Sequence, residues 1–208
     1  MSYFEVLVEG DADVPVMREI LTRKFTLEDG VHFRIHPHQG KGKLPEDPFA
    51  RPELRHRGLL DQLPAKLRGF AKSLPAEACV LVLVDADDTP CTALLADLKG
   101  MLVQLGDKRP PNVLFRLAIE ETESWFIADP AAIKLAYPKA NIKNLPKTPD
   151  EIVGAWELLA KAIGTKVAVS GRDKHAWAEK ISPHLNLDQV ASPSLRKLIA
   201  GISQHLHP

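Results

Sequence analysis

The sequence predicts an α/β fold: a mostly parallel sheet with helices on both faces, continued by a helical C-terminal extension. Three observations carry that prediction. Short apolar runs alternate with stretches of helical periodicity as far as residue 130, the pattern of strands joined by crossover helices. Two of those runs end abruptly in acid: Phe4-Glu5-Val6-Leu7-Val8 runs into Glu9-Gly10-Asp11-Ala12-Asp13, and Val80-Leu81-Val82-Leu83-Val84 into Asp85-Ala86-Asp87-Asp88. Beyond Asp129-Pro130 the strand-like runs stop and helical spacing takes over.

Taken in order, residues 3–9 form the first strand. Val14 to Leu21 has the spacing of an amphipathic helix, opened by Asp13 as cap with Pro15 in its first turn. Val31 to His36 alternates like a second strand and leads into the loop Pro37-His38-Gln39-Gly40-Lys41-Gly42-Lys43. Residues 46–58, rich in Pro and Arg, read as irregular, and Leu59 to Leu74 as a helix. Residues 79–85 are the third strand, followed by a helix opened by Pro90 and Thr92 and running to about Leu105. After a loop at 106–112, Val113 to Ile119 supplies the fourth strand, ending at Glu120-Glu121-Thr122-Glu123-Ser124-Trp125. Helices are expected at 130–136, 149–163, 173–184 and from Ser194 to His205. The organisation expected is an α/β domain over 1–130 with a helical extension over 131–208 packed on it.

Composition bounds the function without naming it. The chain has 208 residues, 45% hydrophobic and 26% charged, ordinary for a globular protein. Lys plus Arg and Asp plus Glu each number 27, so no global positive field draws the chain to nucleic acid, and any such contact comes from a local patch. With no basic-then-apolar leader and no apolar run of about 18 residues, the expected location is cytoplasmic and off the membrane. Cys79 and Cys91 alone fit a reducing compartment and leave a zinc site short of ligands.

The acids carry the chemistry. A buried strand delivers its closing side chain to the carboxyl edge of the sheet, where open α/β folds bind ligands. Carboxylates gathered there repel one another unless a cation lies between them, and oxygen-only donors favour Mg²⁺ or Mn²⁺. Glu9 and Asp13, four apart, project to one side if a helix follows the strand at once; Asp85 and Asp87, two apart, share a face in extended geometry. Each spacing lets two carboxylates share an ion. The plain alternative is that Asp11, Asp13 and Asp88 are helix caps. Glu120, Glu121 and Glu123 close a third apolar run at the same edge; the adjacent Trp125-Phe126 turns that segment toward the core, which favours Glu121 and Glu123 as oriented groups.

With these residues in view, Val8-Glu9-Gly10 with Asp13 and the strand ending Asp85-Ala86-Asp87 resembles the TOPRIM domain of topoisomerases, bacterial primases and overcoming-lysogenization-defect nucleases. More narrowly, Glu121 to Trp125, Gly40-Lys41-Gly42 and Ser192-Pro193-Ser194 resemble a bacterial family of uncharacterised nuclease-like TOPRIM proteins over nearly the whole chain. The resemblance implies a TOPRIM-like fold and an acidic centre that binds Mg²⁺ and acts on a phosphodiester. It matches Glu9 and Asp13 to one metal site, and Asp85, Asp87 and Glu123 to another. It also matches Lys174, in Arg172-Asp173-Lys174-His175, to a lysine near the transition state. The family's small residue before the later acid is Ser; Glu121 and Thr122 stand here. It further implies anti-phage defence or repair beside a separate ATPase of the ABC or AAA type, since this chain carries no ATPase motif.

Physically, two cations about 4 Å apart activate water and stabilise a leaving oxygen, and a nearby lysine offsets developing phosphate charge. With one metal, Glu9 serves instead as general acid or base. Lys41 and Lys43, between glycines that permit close backbone approach, are the candidate phosphate contacts, extended by Arg51, Arg55, His56 and Arg57. His36 and His38 share one side of a strand without a third zinc ligand, His205 and His207 are expected to face solvent, and Trp125, Trp156 and Trp177 to pack in the interior. The rival reading is a non-catalytic module that offers its acidic edge to an ATPase. A third is a different Mg²⁺-dependent phosphotransfer or primase-like activity. DNA and RNA remain equal candidates as substrate.

Overall fold

A computed structural model describes residues 3–53, 55–87, 89–146, 148, 153–165 and 169–207. The strands are β1 (Phe4–Val8), β2 (Phe33–Pro37), β3 (Cys79–Asp85) and β4 (Asn112–Ala118). They pair in the order β2-β1-β3-β4, every pairing parallel. The chain steps outward from β1 to β2 and then returns past β1 to β3. The carboxyl ends of β1 and β3 therefore flank the point where connections diverge, the crevice in which such sheets bind ligands.

Strand alternation divides the interior in two. Phe4, Val6, Val8, Leu81 and Leu83 point to one face, where they meet α1 (Asp13–Glu19) and the C-terminal helices. Leu7, Val80, Val82, Val84, Phe115 and Leu117 point to the other, against α2 (Leu59–Ser73) and α3 (Cys91–Leu105). β1 and β3 are buried on both faces, which is why they read as unbroken apolar runs. The expected α/β fold, parallel sheet and C-terminal helices are all observed.

The C-terminal helices are α4 (Glu123–Ile127), α5 (Pro130–Ala136), α6 (Ala155–Ile163), α7 (Gly171–Ile181) and α8 (Pro193–Leu206). Trp177, Ile181, Leu195 and Leu198 join the same apolar cluster as Phe4 and Leu81, so this part completes the core of one sheet face. A π-helical turn, Ile20–Lys24, extends α1, and from it Arg23 donates to the carbonyls of Ser182 and Leu185 at 3.0 Å each. Trp125 is buried and donates its indole N–H to Ser194 Oγ at 2.8 Å, which accounts for the Ser-Pro-Ser motif as a packing device that also caps α8 through Ser192.

Several local expectations are corrected. Asp13 is the first residue of α1, and its carboxylate accepts the Gly10 N–H at 3.0 Å instead of capping from outside the helix. The expected helix over 149–163 is observed from Ala155; the cap expected at Asp88 and residues 149–152 lie outside the described residues. α4 is too short for periodicity to reveal. His205 packs edge-on against Phe4, ring centroids 5.2 Å apart, with its Nε2 buried, so it does not face solvent; His207 does. Among the described residues no helix is long and apolar enough to cross a membrane.

Candidate metal centre

The carboxyl edge of the sheet is stitched together by backbone bonds that set where each acid points. Gly40 N–H donates to Glu9 O at 2.9 Å, Ala86 N–H to Ala118 O at 2.9 Å, and Asp87 N–H to Glu120 O at 3.2 Å. The loops after all the strands thus converge on one cleft of about 540 Å³, lined by Glu9, Asp11, Asp13, Asp85, Asp87, Glu121 and Glu123 together with Thr122, Arg172, Lys174 and His175.

Each acid has a distinct environment. Glu9 Oε1 accepts the Asp85 N–H at 2.9 Å. Asp13 Oδ1 accepts the Thr122 hydroxyl at 2.9 Å in a buried contact that joins residues 109 apart in sequence. Asp85 is the last residue of β3, and among the described residues its carboxylate makes no ion pair. Asp87 does not continue the strand: its φ of +45° turns it toward Lys41, whose Nζ lies 2.9 Å from Asp87 Oδ2 and 3.2 Å from Ala86 O. The extended Asp-x-Asp geometry expected from spacing is replaced by a turn.

The three glutamates after β4 take three roles. Glu120 sits at φ +60° and its carboxylate accepts the N–H groups of Gly154 at 2.6 Å and Ala155 at 2.9 Å, capping α6. Glu121 Oε1 pairs with Lys174 Nζ at 2.8 Å while its Oε2 is buried without a partner among the described residues. Glu123, 4% exposed, lies 3.5 Å from the same Nζ. Lys174 projects from α7, with its ammonium also 5.5 Å from the Trp156 ring.

Electrostatics follow from the crowding. Burial raises the Glu9 pKa to about 8; the Asp85 N–H opposes the rise, and the charges of Asp13 and Asp87 add to it. Burial also raises Asp85 well above the usual carboxylate range, reinforced by Asp13, Glu9, Glu123 and Glu121. Asp13 is raised by burial against the hydrogen bonds from Thr122 and Gly10, and Glu121 and Glu123 by burial against Lys174. Burial lowers the Lys174 pKa, but Glu123 and Glu121 outweigh it and the net shift is upward. Burial thus disfavours the charged form of Glu9, Asp13, Asp85, Glu121 and Glu123 alike.

The Gly-Lys-Gly loop has a structural task. Carbonyls of Gly40 and Lys41 accept the N–H groups of Leu59 at 2.8 Å and Leu60 at 2.7 Å, closing the N-terminus of α2, and Asp61 accepts from Lys43 N–H and Gly58 N–H at 3.1 Å each. Gly42 has φ +68°, and a Cβ there would stand 2.2 Å from Asp61 Oδ2. The glycines permit this docking, which sends Lys41 across to Asp87. The Lys43 side chain is exposed and does not line the cleft.

The sequence matches the model of the family described as Domain of unknown function (DUF4276) over residues 8–203. The chain belongs to the DUF4276 family. In the search of curated proteins nothing matches this DUF4276 chain. Among solved structures it is similar to the C-terminal region of the Burkholderia pseudomallei OLD protein, at 12% identity and a TM-score of 0.48, covering 97% of each chain.

As the side chains of this DUF4276 protein stand, no three His, Cys, Asp or Glu groups among the described residues are arranged to hold one metal ion. Lys174 draws Glu121 and Glu123, Lys41 draws Asp87, and Gly10 and Thr122 hold Asp13. The donor chemistry nevertheless fits a hard divalent cation: all the acids offer oxygen, each carboxylate oxygen keeps a further lone pair, and Glu121 Oε2 is buried with nothing bound to it. Sequence reasoning missed Thr122, Arg172 and His175. Their only signal was proximity in sequence to Glu123 and Lys174.

Proposed function

We propose that this protein is a Mg²⁺- or Mn²⁺-dependent nuclease of TOPRIM type that cleaves phosphodiester bonds in nucleic acid. The observation that carries the reading is the convergence of acids from the ends of β1, β3 and β4 on one cleft, where burial and mutual repulsion hold Glu9, Asp13 and Asp85 above their ordinary pKa. Carboxylates kept in that state favour a cation over solvent. Glu9 and Asp13 would hold one ion, and Asp85, Asp87, Glu121 and Glu123 a second. A divalent cation supplies Lewis-acid stabilisation of charge on the phosphoryl group.

The protein's own groups do the rest. Thr122 fixes Asp13, and the Asp85 N–H fixes Glu9. Lys174 neutralises Glu121 and Glu123 and would offset charge on a phosphate entering from the α7 side, where Arg172 and His175 also line the cleft. With one ion only, Glu9, whose pKa burial raises to about 8, would serve instead as general acid or base. Lys41 acts here as the clamp on Asp87, and Lys43 remains a candidate contact to the nucleic-acid backbone. The resemblance to TOPRIM nucleases supports a separate ABC- or AAA-type ATPase partner and a setting in anti-phage defence or repair.

One observation favours a non-catalytic module instead: Lys174 and Lys41 already neutralise Glu121, Glu123 and Asp87 from within. The two readings separate in one assay. Purified protein is titrated with Mg²⁺ or Mn²⁺ on plasmid, single-stranded DNA and tRNA, beside Asp85→Ala and with any neighbouring ATPase. The nuclease reading expects metal-dependent cleavage that the variant lacks; cleavage unchanged in Asp85→Ala, or none on any substrate, rejects it.

A further inference from the structure

An acidic cleft does not attract a polyanion, and the chain as a whole carries no net charge, so affinity for nucleic acid must be built elsewhere on the surface. The irregular segment between β2 and α2 provides such a place. Phe49 stands 44% exposed at the tip of a turn on the outer side of α2. Two cations lie over its ring: Lys108 Nζ at 4.9 Å and the Arg68 guanidinium carbon at 5.7 Å from the centroid.

Hydrogen bonds from within the turn and from α2 hold it. Asp47 Oδ1 accepts the Phe49 N–H at 2.8 Å, and Ala50 N–H donates to Asp47 O at 3.1 Å. Arg68, from α2, donates to the carbonyls of Pro48 and Ala50 on either side of Phe49. Neither Arg68 nor Lys108 has a carboxylate partner among the described residues, and Arg51, two residues past Phe49, is exposed and likewise without an ion pair. At the start of α2, Arg57 O accepts the Gln39 N–H at 3.1 Å, beside Gly40 on the cleft rim.

We propose that Phe49, with Lys108, Arg68 and Arg51, is a stacking platform for single-stranded nucleic acid whose strand leads on to the acidic cleft. A partly exposed aromatic ring beside cations that have no carboxylate partner among the described residues matches what an unstacked base and its phosphates require, and a duplex offers no free base to it. The proposal deepens the nuclease reading and rests on it for the cleft being the strand's destination.

The test measures fluorescence anisotropy of labelled oligo(dT) and oligo(rU), and of a duplex of the same length, at low salt in EDTA, where no metal chemistry intervenes. The wild type is expected to bind the single strands more tightly than the duplex. Phe49→Ala should weaken single-strand binding about tenfold, the worth of one stacked base, and leave duplex binding unchanged. Phe49→Trp should restore it, and Lys108→Ala should weaken it with Phe49 intact. Thermal unfolding of each variant verifies that it is folded. Wild-type affinity in Phe49→Ala, an equal loss on the duplex, or no single-strand binding by the wild type overturns the platform. Phe49-dependent binding without cleavage under any metal defeats the nuclease reading alone, and cleavage with Phe49 irrelevant to binding defeats the platform alone.

Discussion

The Glu9 carboxylate accepts the backbone N–H of Asp85 at 2.9 Å, so the side chain that closes β1 is fixed by the backbone that closes β3. These are the strand ends at the topological switch of the sheet. An amide oxygen preserves that bond, whereas the charge is lost. Glu9→Gln is therefore expected to unfold within a few degrees of the wild type while metal-dependent cleavage falls by about a hundredfold or more. Rate measurements beside thermal unfolding check both halves.

The raised pKa values set a stability profile against pH. A carboxylic acid whose folded pKa lies above its unfolded value favours folding while protonated, and that advantage is lost as pH rises toward the folded pKa. For Glu9 the window runs from its ordinary 4.5 to about 8. Metal-free protein should thus lose stability between pH 5 and 8, and Mg²⁺ at pH 8 should restore it by binding the charged form. Asp85→Asn, which removes one of the repelling charges, should flatten the profile and raise Tm at pH 8. Melting curves at several pH values, with and without Mg²⁺, decide it; a metal-free profile that rises with pH across this range contradicts the electrostatic account.

Lys174 balances Glu121 and the nearly buried Glu123. Lys174→Met leaves two carboxylates without their cation and should cost about 2 kcal/mol at pH 8, less than a fully buried pair because the lysine keeps some contact with solvent. Adding Glu121→Gln should recover much of that loss. Urea unfolding of the single and double variants measures the coupling.

Glu120 gives the internal control. Its carboxylate caps α6, so Glu120→Ala should cost about 1 to 2 kcal/mol through the lost N-terminal bonds yet leave cleavage by the folded protein unchanged. Loss of cleavage at full stability would move Glu120 into the active centre.

The sheet and the acids at its edge were legible because burial on both faces forces an unbroken apolar run, and the side chain after it must emerge at one end. That reasoning found Glu9, Asp85 and the Glu121–Glu123 segment without tertiary information. It preferred Glu121 and Glu123 to Glu120 but could not show that Glu120 caps α6, since its partners lie 34 and 35 residues away. Nor did it find the Thr122 bond to Asp13, the turn that points Asp87 at Lys41, or the docking of Gly42 against Asp61: each depends on which loops the sheet order brings together. Ala86 and Asp87 read as extended by spacing alone, and their backbone bonds to Ala118 and Glu120 turned them instead.

The most direct test of the central claim is a crystal soaked in Mn²⁺ at pH 8, with data collected for anomalous scattering. The account predicts an anomalous peak in the cleft at Glu9 and Asp13 and, with Lys174 withdrawn from Glu121, a second at Asp85 that Asp85→Ala lacks. A cleft that stays free of Mn²⁺ while Lys174 keeps both glutamates would contradict it.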